Sequence, residues 1–264
     1  MAIATLDQYI AAVKQRLTWA KPTSRTSVAA IPFTIFDIAG NPGAGVLNIG
    51  NTANGVVPTD AVAGYPVINA FGGSVGYLSR VEFGNSVACR FYLYDRLFAC
   101  GAYACPQTVV NLTSQPSYAG RLPNTDYKGL EIWFECVTAI TGNPTITVTY
   151  TNQDGTPGRS TGAVAFGLAP ILGRCIQLPL AAGDTGVQKI ESVTCTVATA
   201  GTFNIMVLHP VWMGRVPIVG AGDVHDLLRT GLPQIYTDSA LYVLVAADST
   251  ATGLPELNIE VANA

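Results

Sequence analysis

The chain has 264 residues, enough for one large all-β domain or two smaller ones with a sizeable core. Apolar residues make up 49% of it and charged residues only 12%, about half the usual charged share, and mean hydropathy is +0.34. With a net charge of −3, a pI near 5.3 and no Lys/Arg block, it lacks the electrostatic footprint of a direct nucleic-acid binder.

Residues 5–20 read as one long helix. Thr5 caps it, Gln8 completes a capping box, and Leu6, Ile10, Val13 and Leu17 form one apolar stripe. Lys21-Pro22 ends it. The stripe is expected to pack on a neighbouring subunit or in a groove between elements. Residues 1–22 are therefore read as an N-terminal helix or arm. Residues 23–264 are read as the β domain, one sandwich or two packed subdomains.

Residues 27–37 read as a strand, and residues 45–73 as short strands in long loops. Two alternating runs follow, 77–83 and 88–99, joined by Gly84-Asn85-Ser86. In the second run Cys89, Phe91, Leu93, Asp95 and Leu97 share one face, and Arg90, Tyr92, Tyr94, Arg96 and Phe98 the other. Neither face is simply polar, so residues 73–105 read as a central hairpin covered on both sides. Residues 130–140 and 145–151 alternate around Thr141-Gly142-Asn143-Pro144 and read as a second hairpin with a Thr-rich outer face. Further strands are expected over 163–166, 174–180, 189–198, 202–210, 241–246 and 257–261. A short helix is expected over 222–231, with Asp223 as cap, Leu227 and Leu228 buried, and Gly231 as stop. Short strands with turn signals throughout point to a mainly β protein. The expected fold is an antiparallel β-sandwich or jelly-roll with an N-terminal α-helix and a short helix in the C-terminal region.

The N-terminus has no signal-peptide pattern, since Asp7, Gln8, Lys14 and Arg16 interrupt its apolar positions. The longest apolar run, 162–173, is too short for a membrane span. Gly158-Arg159-Ser160-Thr161-Gly162 matches G-x-S-x-G, but a loop precedes it and a strand-like run follows, whereas a nucleophile elbow needs a strand and then a helix. His209 and His225 are the only histidines available to a triad. Cys100 and Cys105 resemble half of a zinc site, yet Cys136, Cys175 and Cys195 are isolated, so no metal is expected. Cys100 and Cys105 flank an expected loop, open to solvent, and are the favoured participants in a disulfide or cross-link, within or between subunits; Cys136 and Cys195 read as buried thiols. Glu131 and Glu135 flank Trp133 on one strand face about 13 Å apart, wider than either glycosidase geometry, and read as a solvated outer face or interface rim. Tyr92, Tyr94, Trp133 and Trp212 offer a sugar-binding platform, with core or interface as the plainer reading. No cofactor motif is present.

Several stretches resemble a known family: FDIAGNPGAG at 36–45, IGNTANGVVPTDAVAGYP at 49–66, FGGSVGYLSRVEFG at 71–84, LYDRLF at 93–98, SYAGRLPNTDYKGLEIWFE at 117–135, and the block 226–263. The chain resembles, over nearly its whole length, an uncharacterised family of tailed double-stranded-DNA bacteriophage virion structural proteins. The resemblance implies a non-enzymatic virion component assembled in the bacterial host cytoplasm, and it transfers no site residues. Low charge and apolar β faces then favour a capsid decoration or cement protein. Such a protein would be a homo-oligomer touching other virion proteins, chiefly the major capsid protein, with no direct nucleic-acid or membrane partner. A head–tail connector or tail component, and a receptor- or sugar-binding virion module, are the alternatives. The interface residues expected are Leu6, Ile10, Val13, Leu17, Tyr92, Tyr94 and Trp133.

Overall fold

The computed structural model describes residues 3–71, 75–197 and 200–263. The fold is mainly β and antiparallel. In chain order the elements are α1 (Leu6–Ala11), β1 (Val13–Ala20), β2 (Pro32–Thr34), β3 (Asn51–Val56), β4 (Val75–Gly84), β5 (Cys89–Ala104), β6 (Gln107–Asn111), β7 (Glu131–Thr141), β8 (Thr145–Asn152), β9 (Arg159–Ser160), β10 (Val164–Ala165), β11 (Cys175–Leu178), β12 (Val187–Thr196), β13 (Ala200–Val216), β14 (Gly222–His225), α2 (Leu227–Thr230), β15 (Gln234–Tyr236), β16 (Leu241–Ala247) and β17 (Glu256–Asn263).

The chain divides into two compact units, each with its own core. The first comprises Met1–Val46, Thr59–Asp95 and Val211–Ala264; the second comprises Leu47–Pro58 and Arg96–Pro210. β5 therefore supplies Cys89–Asp95 to the first unit and Arg96–Ala104 to the second.

In the first unit, one sheet has the order β1-β17-β4-β14, with β15 also on β4. The other sheet there is built from β5, β16 and β2. Leu78, Val81 and Phe83 of β4 and Ile259 of β17 share one core cluster with Phe91 and Leu93 of β5 and Val245 of β16. Phe83 meets Phe91 edge-on, with ring centroids 5.9 Å apart. This is sandwich packing, in which alternate residues of each strand face the opposite sheet.

In the second unit, one sheet runs β10-β8-β12-β6 with β9 on β8, and the other runs β11-β7-β13-β5 with β3 on β5. Ile146, Val148 and Tyr150 of β8 join Ile132 and Phe134 of β7 and Ile205 and Val207 of β13 in one cluster. Gly55 of β3 has φ +67, and a Cβ there would fall 2.1 Å from the ring of Phe98, so only glycine allows this approach.

Both expected hairpins are corrected. β4 pairs with β17, β14 and β15, whereas β5 pairs with β16 and lies beside β13. β7 pairs with β11 and β13, whereas β8 pairs with β12, β10 and β9. In each case the short turn carries the chain from one sheet of a sandwich to the other. The strand assignments stand, but the pairing partners do not. Position 73, the start of the expected central hairpin, lies outside the described residues.

The helix expected over 5–20 is also corrected. Thr5 does cap α1, through the reciprocal bonds Gln8 N to Thr5 Oγ1 (3.2 Å) and Thr5 N to Gln8 Oε1 (3.1 Å). The helix stops at Ala11, and Val13–Ala20 is a strand in full register with β17, from Val13↔Asn263 to Ala20↔Glu256. Leu17 and Trp19 are two apart and both point into the core, a period that competes with the helical one. The strand expected over 27–37 shrinks to β2. The helix expected over 222–231 shrinks to α2, capped by Asp226 and not Asp223, with Gly231 at φ 70 closing it. Gly222–His225 is β14, and Leu228 is 83% exposed, against the burial expected for it. The strand expected over 189–198 ends at Thr196, and position 198 lies outside the described residues.

Candidate functional site

The G-x-S-x-G stretch is built as strand and turn. Arg159 and Ser160 form β9, paired with Tyr150 and Thr149 of β8, and Ser160 Oγ accepts the Gly162 N–H at 3.0 Å. No helix follows, so the serine is not presented as a nucleophile elbow presents it. The chemistry around it is structural. Asp184 Oδ2 accepts from Arg159 Nε at 2.8 Å and from the Tyr150 hydroxyl at 2.7 Å, while its Oδ1 accepts from Asn152 Nδ2 at 2.8 Å. Burial pushes the Asp184 carboxyl upward, but these three donors outweigh it and hold the group down at about 2.

The histidines are similarly engaged. His209 lies within β13 and not at a strand end. His225 Nδ1 accepts from Trp212 Nε1 at 3.0 Å, which fixes a neutral tautomer with the proton on Nε2, 3.5 Å from Asp223 Oδ2. Burial lowers the His225 pKa, and Arg229 reinforces the shift.

The carboxylate pair separates into two different environments. Glu131 Oε2 accepts from Trp133 Nε1 at 2.7 Å. Glu135 is not on a solvated face: it is 0% exposed, with Oε2 accepting from Arg96 Nη2 at 3.1 Å and Asn204 Nδ2 at 2.6 Å. Arg96, expected on a strand face beside Tyr94, is thus a core cation. Arg121 joins this region from a short turn, donating to the carbonyls of Arg96 (2.7 Å) and Pro58 (2.6 Å). Buried charges are tolerated when paired and hydrogen-bonded in this way.

A buried lysine in the first unit had no signal in the sequence. Lys21 Nζ donates to the carbonyls of Ile38 (2.8 Å) and Pro42 (2.6 Å). Burial pushes its ammonium down to about 8, against an opposing pull from Asp37.

All six cysteines are buried. The expectation of a solvent-facing Cys100–Cys105 end is corrected: β5 continues through Cys100 to Ala104, and both Cys100 and Cys105, just past its end, are buried. Cys100 Sγ faces the Ile205 carbonyl at 3.6 Å, and burial pushes its thiol up to about 12. Cys105 Sγ instead faces Cys195 Sγ at 2.9 Å. Among the described residues, no group of three or more His, Cys, Asp or Glu side chains is placed to hold a metal ion.

The expected interface residues split. Leu17, Tyr94 and Trp133 are buried within the chain and cannot meet a partner, and Trp133 and Trp212 are likewise too covered to offer a sugar platform. Tyr92 is half-buried. Leu6, Ile10 and Val13 are 65%, 66% and 75% exposed. The geometry of α1 explains this. The Tyr9 hydroxyl donates to Glu260 Oε1 of β17 at 2.9 Å, and Lys14 Nζ donates to the Tyr9 carbonyl at 2.7 Å. The helix is thus anchored through its Tyr9 side, which turns Leu6 and Ile10 outward. A second surface feature is a groove of about 700 Å³ along β4 and β14, lined by Glu82, Asn85, Asp223, Val224, Leu254 and Glu256 among others. Ile218 and Val219, in the loop before β14, are each 69% exposed. Among the described residues no helix is long and apolar enough to cross a membrane.

No family model and no curated protein matches the chain, so the phage-family resemblance of the sequence stays an expectation. Among solved structures, the chain is similar to the VP2 subviral particle protein of infectious bursal disease virus, with 9% identity over 95% of this chain and 79% of that one and a TM-score of 0.24. It is also similar to a protein of the Gx strain of that virus (10% identity, 95% and 80% covered, TM-score 0.19) and to one of Israeli acute paralysis virus (12%, 83% and 75%, 0.13). At these scores none of the likenesses carries an argument about fold or role.

Proposed function

We propose that this chain is a non-enzymatic structural protein of a bacteriophage virion, and within that class a capsid decoration or cement protein that stabilises the head through lateral subunit contacts. The observation that carries the reading is the outward-facing stripe of α1. Leu6 and Ile10 stand exposed on a helix whose other side is tied to β17 by Tyr9, and Val13, the first residue of β1, stands exposed beside them. Covering each such side chain stabilises a contact by about 1–2 kcal/mol, so a partner gains from burying the stripe. The partner in this reading is a second copy of the chain or a neighbouring virion protein, chiefly the major capsid protein. A chain with only 12% charged residues suits a particle in which much of its surface is covered. The role needs no cofactor, nucleic acid or membrane.

Quantitative mass spectrometry of purified particles tests the proposal. Decoration requires a copy number on the order of hundreds, following the symmetry of the head. A copy number of tens supports a head–tail connector or tail component instead, and absence from the particle refutes a virion role.

A further inference from the structure

We infer that Cys105 and Cys195 are a disulfide site of this protein, reduced in this structure and closed by oxidation. The sulfurs already face each other at 2.9 Å, and a bond at about 2.0 Å requires them to approach by less than about 1 Å. The backbone on both sides is held. Cys105 N donates to the Gly201 carbonyl at 2.9 Å, at the turn between β5 and β6. Cys195 lies in β12 with Ile146 of β8 on one side and Gln107 of β6 on the other. Both side chains belong to the core cluster of the second unit, so the bond itself forms in packed surroundings, and a small oxidant reaches the sulfurs when that part of the unit opens locally. The two thiols also share their protons: donation from Cys105 lowers the pKa of Cys195, and that same bond, with burial, raises the pKa of Cys105.

The oxidant is a small-molecule disulfide. Both thiol protons and two electrons pass to it, it leaves as two thiols, and the Cys105–Cys195 bond forms. Where cellular thiol buffers hold cysteines reduced, the site stays open; in an oxidising medium it closes. The partners are 90 residues apart in sequence, so the ring encloses β6 through β11 and most of β12. A ring of that size is expected to raise the melting temperature by roughly 10 °C.

The test uses the full folded chain incubated with oxidised glutathione, quenched in acid, denatured and alkylated. The expected result is alkylation of four of the six cysteines (six less the linked pair), a mass lower by two hydrogens before alkylation, and one linked peptide joining Cys105 to Cys195. A parallel melt shows the oxidised form above the reduced form. Alkylation of all six, a link between any other pair, or a glutathione adduct on either residue that never resolves overturns the inference. Cys195→Ala serves as a check: all five remaining cysteines alkylate after the same treatment. Because the peptide map is made on the unaltered protein, the result stands even if that variant folds poorly.

Discussion

Replacing Glu135 by leucine is expected to destabilise the second unit by about 3–5 kcal/mol. The side chain is 0% exposed, and its Oε2 is the shared acceptor for Arg96 and Asn204. The Arg96 side chain is only 3% exposed, so removing the carboxylate leaves its guanidinium in the core without this counter-charge. Asn204 suffers less, because its Nδ2 also donates to the Leu47 carbonyl at 2.7 Å; its lost bond adds about 1 kcal/mol. Against a total stability of about 5–15 kcal/mol this is a large fraction. Glu135→Gln keeps an acceptor for Asn204 and lies between wild type and leucine. Replacing both partners, Glu135→Leu with Arg96→Met, leaves neither charge in the core and is expected to cost less than Glu135→Leu alone. Urea unfolding of these four proteins and of Arg96→Met alone, read as midpoint at constant slope, measures this. A Glu135→Leu protein within about 0.5 kcal/mol of wild type, or a double variant whose loss equals the sum of the singles, would show that the pair is not the coupled buried unit described here.

Leu6→Asp with Ile10→Asp is expected to leave the melting temperature of the isolated chain nearly unchanged, since both side chains are exposed. The same pair should weaken self-association or particle binding at least tenfold, measured by light scattering or binding to undecorated heads. Asp184 carries a folded-state pKa of about 2, below its unfolded value of about 3.9. Its contribution is therefore present above pH ~4 and is lost as the pH falls toward 2, and Asp184→Asn should flatten that acid limb of a stability–pH curve. Lys21 has the opposite sense of linkage: its folded pKa of about 8 lies below the ordinary lysine value of 10.5, so the unfolded chain binds its proton more tightly. Stability should rise as the pH climbs from 8 to 10.5, by about 3 kcal/mol at most. Lys21→Met should abolish that rise in chemical denaturation at pH 7.5 and 10.

Much of the architecture was legible locally. The alternation of Leu93, Asp95 and Leu97 against Tyr92, Tyr94 and Arg96 predicted β5, and Ile146, Val148 and Tyr150 against threonines predicted β8. Both follow from the pleat, which sends successive side chains to opposite faces. The capping box at Thr5 and Gln8 placed the start of α1. Its end was not legible, because Val13, Leu17 and Trp19 fit a helical and an extended spacing alike. Leu17 and Trp19 are buried only once β1 lies beside β17, more than 230 residues further along the chain. The short strands β9, β14 and β15 carry too few residues to show a period at all.

The candidate sites were less legible, for one physical reason. Side-chain type and period are local properties, but burial and partner choice are made between segments remote in sequence. Glu135 reads as a polar face from its neighbours on the strand; Arg96, 39 residues away, and Asn204, 69 residues away, make it a core anion. Cys100 and Cys105 read as solvent-facing participants in a disulfide or cross-link of open pairing, whereas both are buried and Cys105 faces Cys195. The turns after β4 and β7 read as hairpins because a short turn suits either a fold-back within one sheet or a crossing to the opposite one. By itself, the amino-acid sequence determined the β class, most strand positions and the capped start of α1. Only the tertiary structure decided which strands pair, how the core divides, and which charged and sulfur-bearing side chains meet, because those choices rest on long-range packing that no local period encodes.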